Sequence, residues 1–184
     1  MRFKDLLINM LYLKRVSFVH PDNTIAIADG VTKRNYKRQV ENETPVAFLA
    51  TLADHAESLG ADQIIAFENV ITNVGDAYNS HAGVFIAPVS GIYVFSSSIM
   101  SYRSTQSHYA FKRNDVVVTY MFYHGDALNA YDTTGSTVTL QLSKGDDVAV
   151  VNLDSDKDVH GSHYSSFTGF LLQESYDDTA VVGK

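Results

Sequence analysis

Apolar and polar residues alternate along much of the chain from Pro45 onward, with the period of two that is typical of β-strands. Residues 137–142 show it most clearly, since Val138, Leu140 and Leu142 are separated by polar residues. Gly, Asn or Asp interrupts such runs roughly every 8 to 12 residues, as in antiparallel sandwiches. The predicted strands are 46–52, 64–67, 83–86, 91–102, 107–113, 116–122, 136–142, 147–151 and 165–173. The pattern predicts an all-β fold of two packed sheets.

Asn114 and Asp115 separate two of these apolar runs, 107–113 and 116–122. Short amide and acid side chains tolerate the left-handed backbone conformation that tight hairpins need. The pair therefore predicts a hairpin turn between two neighbouring strands.

The first 44 residues lack this alternation. A basic start at 1–4 precedes an apolar run at 6–13, as in a secretory leader, whereas the early Lys14-Arg15 pair and the missing small-x-small cleavage site oppose that interpretation. The alternative is a short amphipathic helix. Its apolar face would carry Phe3, Leu6, Leu7, Met10 and Leu11. Residues 20–43 have no period and no Gly-X-Y repeat, so they are predicted to be a linker rather than a collagen stem.

Composition narrows the class of protein. The chain is 45% hydrophobic and 19% charged, which favours a folded domain over a disordered one. Its formal charge of -7 disfavours nucleic acid and anionic lipid as partners. Cysteine is absent, which excludes disulfides and thiolate metal sites. No apolar run reaches the roughly 18 residues of a membrane-spanning helix.

One spaced motif within residues 67–95 identifies a family. Its pattern is F-x(5)-[ND]-x(4)-aromatic-x(6)-F-x(5)-G-x-Y-x-F, and only the aromatic expected next is missing, because Ser97 stands there. The matching residues are Phe67, Asn73, Tyr78, Phe85, Gly91, Tyr93 and Phe95. This motif resembles the signature of the globular head domain of complement component 1, q subcomponent, which is related to tumour necrosis factor. Flanking segments extend the resemblance over about 45–173, leaving a leader or linker at 1–44 and a tail at 174–184.

The resemblance implies a ten-stranded, two-sheet jelly roll that assembles as a homotrimer. It also implies that the signature aromatics fill the core and the subunit contacts and bind no ligand. The sequence contains no Gly-x-Ser-x-Gly, His-Glu-x-x-His or phosphate-binding loop, and we therefore expect no enzyme activity.

Some relatives in this family bind calcium, and the resemblance places the corresponding loop at 124–132. Asp132 falls on an acidic ligand position. His124 occupies the other acidic position, a departure that disfavours calcium because calcium prefers oxygen ligands. Asp126 could supply the missing carboxylate only if the loop shifts. The alternative is a solvated loop in which Asp132 caps a turn.

A second acidic segment, residues 154–158, lacks the Gly and Glu that a helix-loop-helix calcium loop requires. Asp158 with His160 and His163 offers a weak transition-metal site, but a hydrated loop is the preferred interpretation. The seven histidines are otherwise scattered, and most are expected at the surface.

Tyr102, Arg103 and His108 are the candidate ligand-binding residues. They combine aromatic faces with a cation that suits a carboxylate or phosphate on a glycan. Further tyrosines at 120, 123, 131 and 164 serve a sugar platform or a trimer interface equally well.

The resemblance therefore predicts a secreted, stemless recognition trimer that binds microbial or anionic glycans. Lipopolysaccharide and sialylated or other polysaccharides are the ligand classes expected, with calcium as a cofactor. The alternative is a secreted signalling or extracellular-matrix trimer that binds a protein partner.

Overall fold

The computed structural model describes residues 45–102, 106–124 and 131–175, except the side chain of Tyr102, and two short strands near the N-terminus. The chain divides into two units, residues 1–43 and 44–184. In the first unit, β1 (Phe18–Val19) pairs with β2 (Ile25–Ala26) in antiparallel fashion. The predicted leader or helix at 3–11 lies outside the described residues.

The second unit is built from antiparallel strands. They are β3 (Ala47–Thr51), β4 (Ala56–Leu59), β5 (Gln63–Ile64), β6 (Asn69–Val74), β7 (Tyr78–Asn79), β8 (Val84–Ile86), β9 (Gly91–Tyr102), β10 (Gln106–Arg113), β11 (Val116–His124), β12 (Asp132–Leu142), β13 (Asp147–Asn152), β14 (Lys157–Val159) and β15 (Ser166–Glu174). No helix occurs among the residues that the structure describes. The all-β prediction is confirmed.

Two sheets form the sandwich. One has the order β11-β10-β13-β8-β7, with β5 also paired to β13. The other has the order β4-β14-β9-β15-β3-β6, with β12 on the other side of β9. The short strands β4, β5 and β14 supplement the ten strands of a jelly roll. This is the predicted architecture.

Aromatic side chains fill the space between the sheets. Tyr93 and Phe95 of β9 are fully buried, as the period of two requires. Phe48 stacks on Tyr78 at 4.7 Å between ring centroids and meets Phe167 edge-on at 4.8 Å. The next inward position holds Ser97, which departs from the signature and donates its hydroxyl to the carbonyl of Ser166 at 2.9 Å.

Three signature residues are joined by hydrogen bonds rather than by packing alone. The Asn73 side chain donates to the carbonyl of Tyr78 at 2.9 Å and accepts from its N–H at 3.2 Å. The Tyr78 hydroxyl in turn donates to the Phe67 carbonyl and accepts from the Phe67 N–H, both at 3.1 Å. Burial raises the pKa of Tyr78 from 10.0 to about 12, so the hydroxyl remains a donor.

The hairpin prediction is confirmed at Asn114 and Asp115. Both residues have positive φ, 48° and 65°, and Arg113 pairs with Val116 across the turn. Two consecutive left-handed residues match the twist of the flanking strands, which is why such turns close two-residue hairpins.

Other boundaries differ from the prediction. Of the predicted strand 64–67, only Ile64 lies in a strand, β5, and the residues after it include the buried Ile65 and Phe67. The segment interpreted as a hydrated loop contains β14, which pairs with both β4 and β9. Long-range pairing therefore orders a stretch whose local sequence is polar.

Candidate functional site

Three of the predicted site positions lie at the end of the sandwich where β9 finishes, namely the Tyr102 backbone, His108 near the start of β10 and Asp132 at the start of β12. Ser101 of β9 pairs with Asp132 on one side and with Val159 on the other. Tyr102 follows as the last residue of β9 and pairs with Asp158. The start of β10 faces this point from the second sheet, since the buried hydroxyls of Ser101 and Ser107 lie 3.5 Å apart. Arg103, Asp126 and the Tyr102 side chain lie outside the described part of the chain.

His108 is half-buried on β10 and is oriented by Asp154. One carboxylate oxygen of Asp154 accepts from the His108 backbone N–H at 2.8 Å and lies 3.0 Å from its Nδ1. Burial opposes ionisation of Asp154, but the two contacts from His108 together hold its pKa below the ordinary value. The imidazole also packs on the half-exposed ring of Phe122 at 4.5 Å. His108 therefore presents a fixed ring with an aromatic neighbour.

Asp132 is exposed at the first position of β12. Its Oδ1 accepts the N–H of Thr133 at 2.7 Å, a local capping contact. His124 ends β11 and pairs with Gln106. Among residues 45–102, 106–124 and 131–175, no three His, Asp or Glu side chains are grouped so as to hold a metal ion. Asp132 is the one predicted calcium ligand on this part of the chain.

The candidate transition-metal residues are engaged separately. Asp158 accepts the N–H of Ser58 at 2.7 Å, and His163 Nδ1 lies 2.9 Å from the hydroxyl of Thr51. His160 instead packs among aromatic rings. Folding separates these three side chains although they are close in sequence.

Sequence reasoning missed an aromatic cluster at the same end. His160 contacts the rings of His55, Tyr131 and Tyr164, with centroid distances of 4.5, 4.9 and 5.2 Å. Tyr131 and Tyr164 were predicted only as members of a scattered tyrosine set. No local motif joins these four residues, because they come from three distant segments.

The β9 sheet also exposes an apolar outer face. Residues paired across neighbouring strands point to the same side, and the register aligns Val94, Phe170, Ala47 and Val74 in one row. Phe170 is 45% exposed and Val74 43% exposed, and Leu172 beside them is 60% exposed. Apolar surface of this kind is typical of subunit contacts.

The C1q domain family matches residues 47–172 of the chain. The chain belongs to the C1q-domain family. Its sequence is 33% identical over 138 residues to mouse complement C1q tumor necrosis factor-related protein 3, covering 74% of this chain and 54% of that protein. It is 36% identical over 130 residues to the heavy metal-binding protein HIP of Mytilus edulis, covering 69% and 60%. This C1q-domain chain thus spans little more than half the length of these relatives.

Solved structures show the same fold. The globular domain of zebrafish complement 1qA gives a TM-score of 0.60 at 19% identity, covering 71% of this C1q-domain chain and 99% of its own. The Eiger tumour necrosis factor of S. frugiperda gives 0.62 at 13% identity, covering 73% and 97%. Both likenesses support the jelly roll alone.

C1q-like and tumour-necrosis-factor-like domains are non-enzymatic binding or signalling modules, and they form trimers. The expectation that this chain is not an enzyme is confirmed by its family. The described residues of this C1q-domain protein include no helix that is long and apolar enough to cross a membrane.

Proposed function

We propose that this C1q-domain protein is a secreted homotrimer that recognises microbial or anionic glycans. The observation that carries the proposal is the end of the sandwich, where an oriented His108 and exposed aromatic rings lie among strand ends and loops. Lipopolysaccharide and sialylated or other polysaccharides are the proposed ligand classes.

The outer face of the β9 sheet supports the homotrimer. Complete burial of a large apolar side chain stabilises a protein by roughly 1.5–3 kcal/mol. Phe170 and Leu172 are each about half exposed, so covering them at a subunit contact would favour trimer formation. Closed symmetry lets one such face serve all three copies. Three weak sites on one particle then gain avidity on a repetitive surface without any new contact.

Arg103 supplies the proposed contact with anionic groups. The protein carries a formal charge of -7, so a carboxylate or phosphate needs a local cation. Tyr102 and His108 flank Arg103 in sequence, and the described position of His108 supports their placement at one end of the sandwich. This part of the proposal predicts that Arg103→Gln weakens binding to sialylated glycans more than to neutral ones.

Calcium is proposed as a cofactor of this end of the molecule. Asp132 presents an exposed carboxylate, the ligand type that calcium prefers. Asp126 would supply the second carboxylate, whereas the His124 nitrogen suits calcium poorly. The described residues alone do not complete such a site, so the binding assay includes calcium and chelator arms.

The second candidate function is a secreted signalling or matrix trimer. The 33% identity to complement C1q tumor necrosis factor-related protein 3 favours it. Such a protein would bind a protein partner over an interface of conventional size and show little preference among sugars.

Because the Mytilus edulis relative HIP is named a heavy metal-binding protein, zinc and cadmium are included with calcium among the ions tested.

The deciding experiment measures binding of the purified full chain to a glycan array and to whole microbes while light scattering reports its mass. Saturable binding by a trimer, competed by free sugar, supports glycan recognition. Loss of that binding in chelator assigns a role to calcium. A trimer that binds no glycan under either condition refutes the proposal and favours the protein-partner alternative.

A further inference from the structure

Three rings form a continuous surface at the end of the sandwich where β9 finishes. The His160 ring contacts Tyr131 at 4.9 Å with planes 65° apart, and Tyr164 at 5.2 Å with planes 38° apart. Tyr131 is 55% exposed and Tyr164 58% exposed. We call Tyr131, His160 and Tyr164 the aromatic platform.

His55 supports the platform from the loop after β3. Its ring lies 4.5 Å from that of His160, and its Nδ1 accepts the N–H of Gly161 at 3.0 Å. Burial and the nearby His55 lower the pKa of His160 below its ordinary value. His160 is therefore a neutral aromatic ring near neutral pH, with its position set by its neighbours.

Backbone contacts hold the loop that carries His160 and Tyr164. The N–H groups of Ser162 and His163 donate to the carbonyls of Ala53 and Leu52, both at 2.8 Å. At Gly161 a Cβ atom would lie only 2.2 Å from the carbonyl oxygen of Asp54, so the two loops touch through their backbones. The platform is thus pre-organised, which lowers the entropy cost of binding.

A second set of bonds ties this loop to β9. The His160 N–H donates to the Met100 carbonyl at 2.8 Å. The hydroxyl of Ser165 donates to the His160 carbonyl at 2.8 Å and accepts the Met100 N–H at 3.0 Å. His160 is consequently anchored on both sides of its own Cα, as a binding surface on a rigid scaffold requires.

The two tyrosines contribute little to the core because more than half of each side chain faces solvent. Their faces carry the negative part of the ring quadrupole and attract polarised C–H groups. Tyrosine hydroxyls can both donate and accept hydrogen bonds at the rim of such a surface. This combination matches a sugar ring, which has an apolar C–H face edged by hydroxyls, better than a quaternary ammonium ion, which needs no hydrogen bonds.

We propose that the aromatic platform binds the pyranose ring of a glycan, which stacks on one of the two exposed tyrosines, packs against the other and is hydrogen-bonded at its edge. The proposal rests on the proposed glycan recognition and places the sugar contact at residues other than Tyr102, Arg103 and His108.

The test uses saturation-transfer NMR on the full chain with methyl glycosides of mannose, galactose and sialic acid, and with choline as the competing cation. Tyr131→Ala and Tyr164→Ala are expected to weaken sugar binding about five- to tenfold, the factor that one aromatic contact supports. Tyr120→Ala is the matched control, since Tyr120 is a 66% exposed tyrosine on β11 in the other sheet. If either alanine variant fails to fold, Tyr131→Leu or Tyr164→Leu replaces it at the same position.

Each outcome separates this inference from the proposed function. Unchanged sugar binding in both platform variants overturns the platform, as does binding of choline in place of sugar. Binding of methyl glycosides through the platform, without binding to the glycan array or to whole microbes, supports the platform and refutes the proposed function. Binding to microbes that survives both substitutions supports the proposed function and refutes the platform. Absence of all sugar binding in the unaltered chain refutes both the platform and the proposed function.

Discussion

Replacing Asn73 with alanine removes two hydrogen bonds that tie β6 to the backbone of Tyr78. The amide donates to the Tyr78 carbonyl at 2.9 Å and accepts from its N–H at 3.2 Å, and Asn73 is partly buried. A hydrogen bond in such a setting contributes about 0.5–1.5 kcal/mol net, so the substitution should lower the free energy of unfolding by about 1–3 kcal/mol. If this loss of stability is measured, the two hydrogen bonds explain why the signature has an amide side chain at Asn73.

Thermal unfolding at a fixed protein concentration is the assay, because trimerisation makes Tm depend on concentration. For a domain of this size, roughly 4 °C of Tm accompany each kcal/mol, so Asn73→Ala should melt about 4–12 °C below the unaltered protein. Asn73→Asp keeps the acceptor for the Tyr78 N–H but loses the donor to its carbonyl. Because a carboxylate oxygen then faces the Tyr78 carbonyl oxygen in a partly buried position, we expect this variant to melt no higher than Asn73→Ala.

Ser155→Ala is the control, since Ser155 is an exposed residue of the loop between β13 and β14. The reasoning is refuted if Asn73→Ala melts together with Ser155→Ala, because the two hydrogen bonds would then contribute nothing net.

Four further predictions follow from single contacts. Gly161→Ala should markedly lower Tm and disturb the loop, because its Cβ would meet the Asp54 carbonyl at 2.2 Å, as thermal unfolding will show. Phe170→Ser should shift the mass in light scattering from trimer toward monomer, because it removes apolar area from the outer face of the β9 sheet. The pKa of His160 is lowered in the folded state, so the unfolded state binds more protons than the folded state as pH falls below about 6.5, and the free energy of unfolding decreases. Denaturant titrations should show a smaller decrease for His160→Asn. Asp132→Asn should abolish any calcium-induced rise in Tm.

Matched measurements make these outcomes decisive. Tyr120→Ser alters an exposed side chain of the other sheet and should leave the trimer mass unchanged if the β9 face alone forms the contact. The pH effect is assigned to His160, which contacts the rings of His55, Tyr131 and Tyr164, only if the unaltered protein and His160→Asn diverge below pH 6.5. Equal slopes would place the titrating group elsewhere. A calcium response that survives Asp132→Asn would exclude this carboxylate as a ligand.

The strands were predictable where alternation is strong and local. Residues 91–102 were predicted as one strand, and β9 has these bounds, because one of its faces is buried along its whole length. The turn at Asn114 and Asp115 was predictable because its left-handed backbone conformation depends on those two residues themselves. β14 was missed because its polar sequence gains order only by pairing with β4 and β9.

The site was less predictable. His108 was named from its neighbours in sequence, but its orienting partner Asp154 lies 46 residues away and shows no local motif. The platform residues are likewise brought together from separate segments, because β12 after Tyr131 and β14 before His160 both pair with the end of β9. A single sequence carries no sign of such long-range neighbours.

The amino-acid sequence by itself determined the all-β class, the family and the burial of the signature aromatics, because alternation and the spacing of those aromatics are local properties of the chain. Gly91 illustrates the limit. Its place in the signature was visible, but only the tertiary structure showed that a Cβ there would lie 2.5 Å from the carbonyl of Gln173 on β15. The tertiary structure also decided which rings form a binding surface and which apolar residues remain exposed, since both depend on the pairing of distant strands.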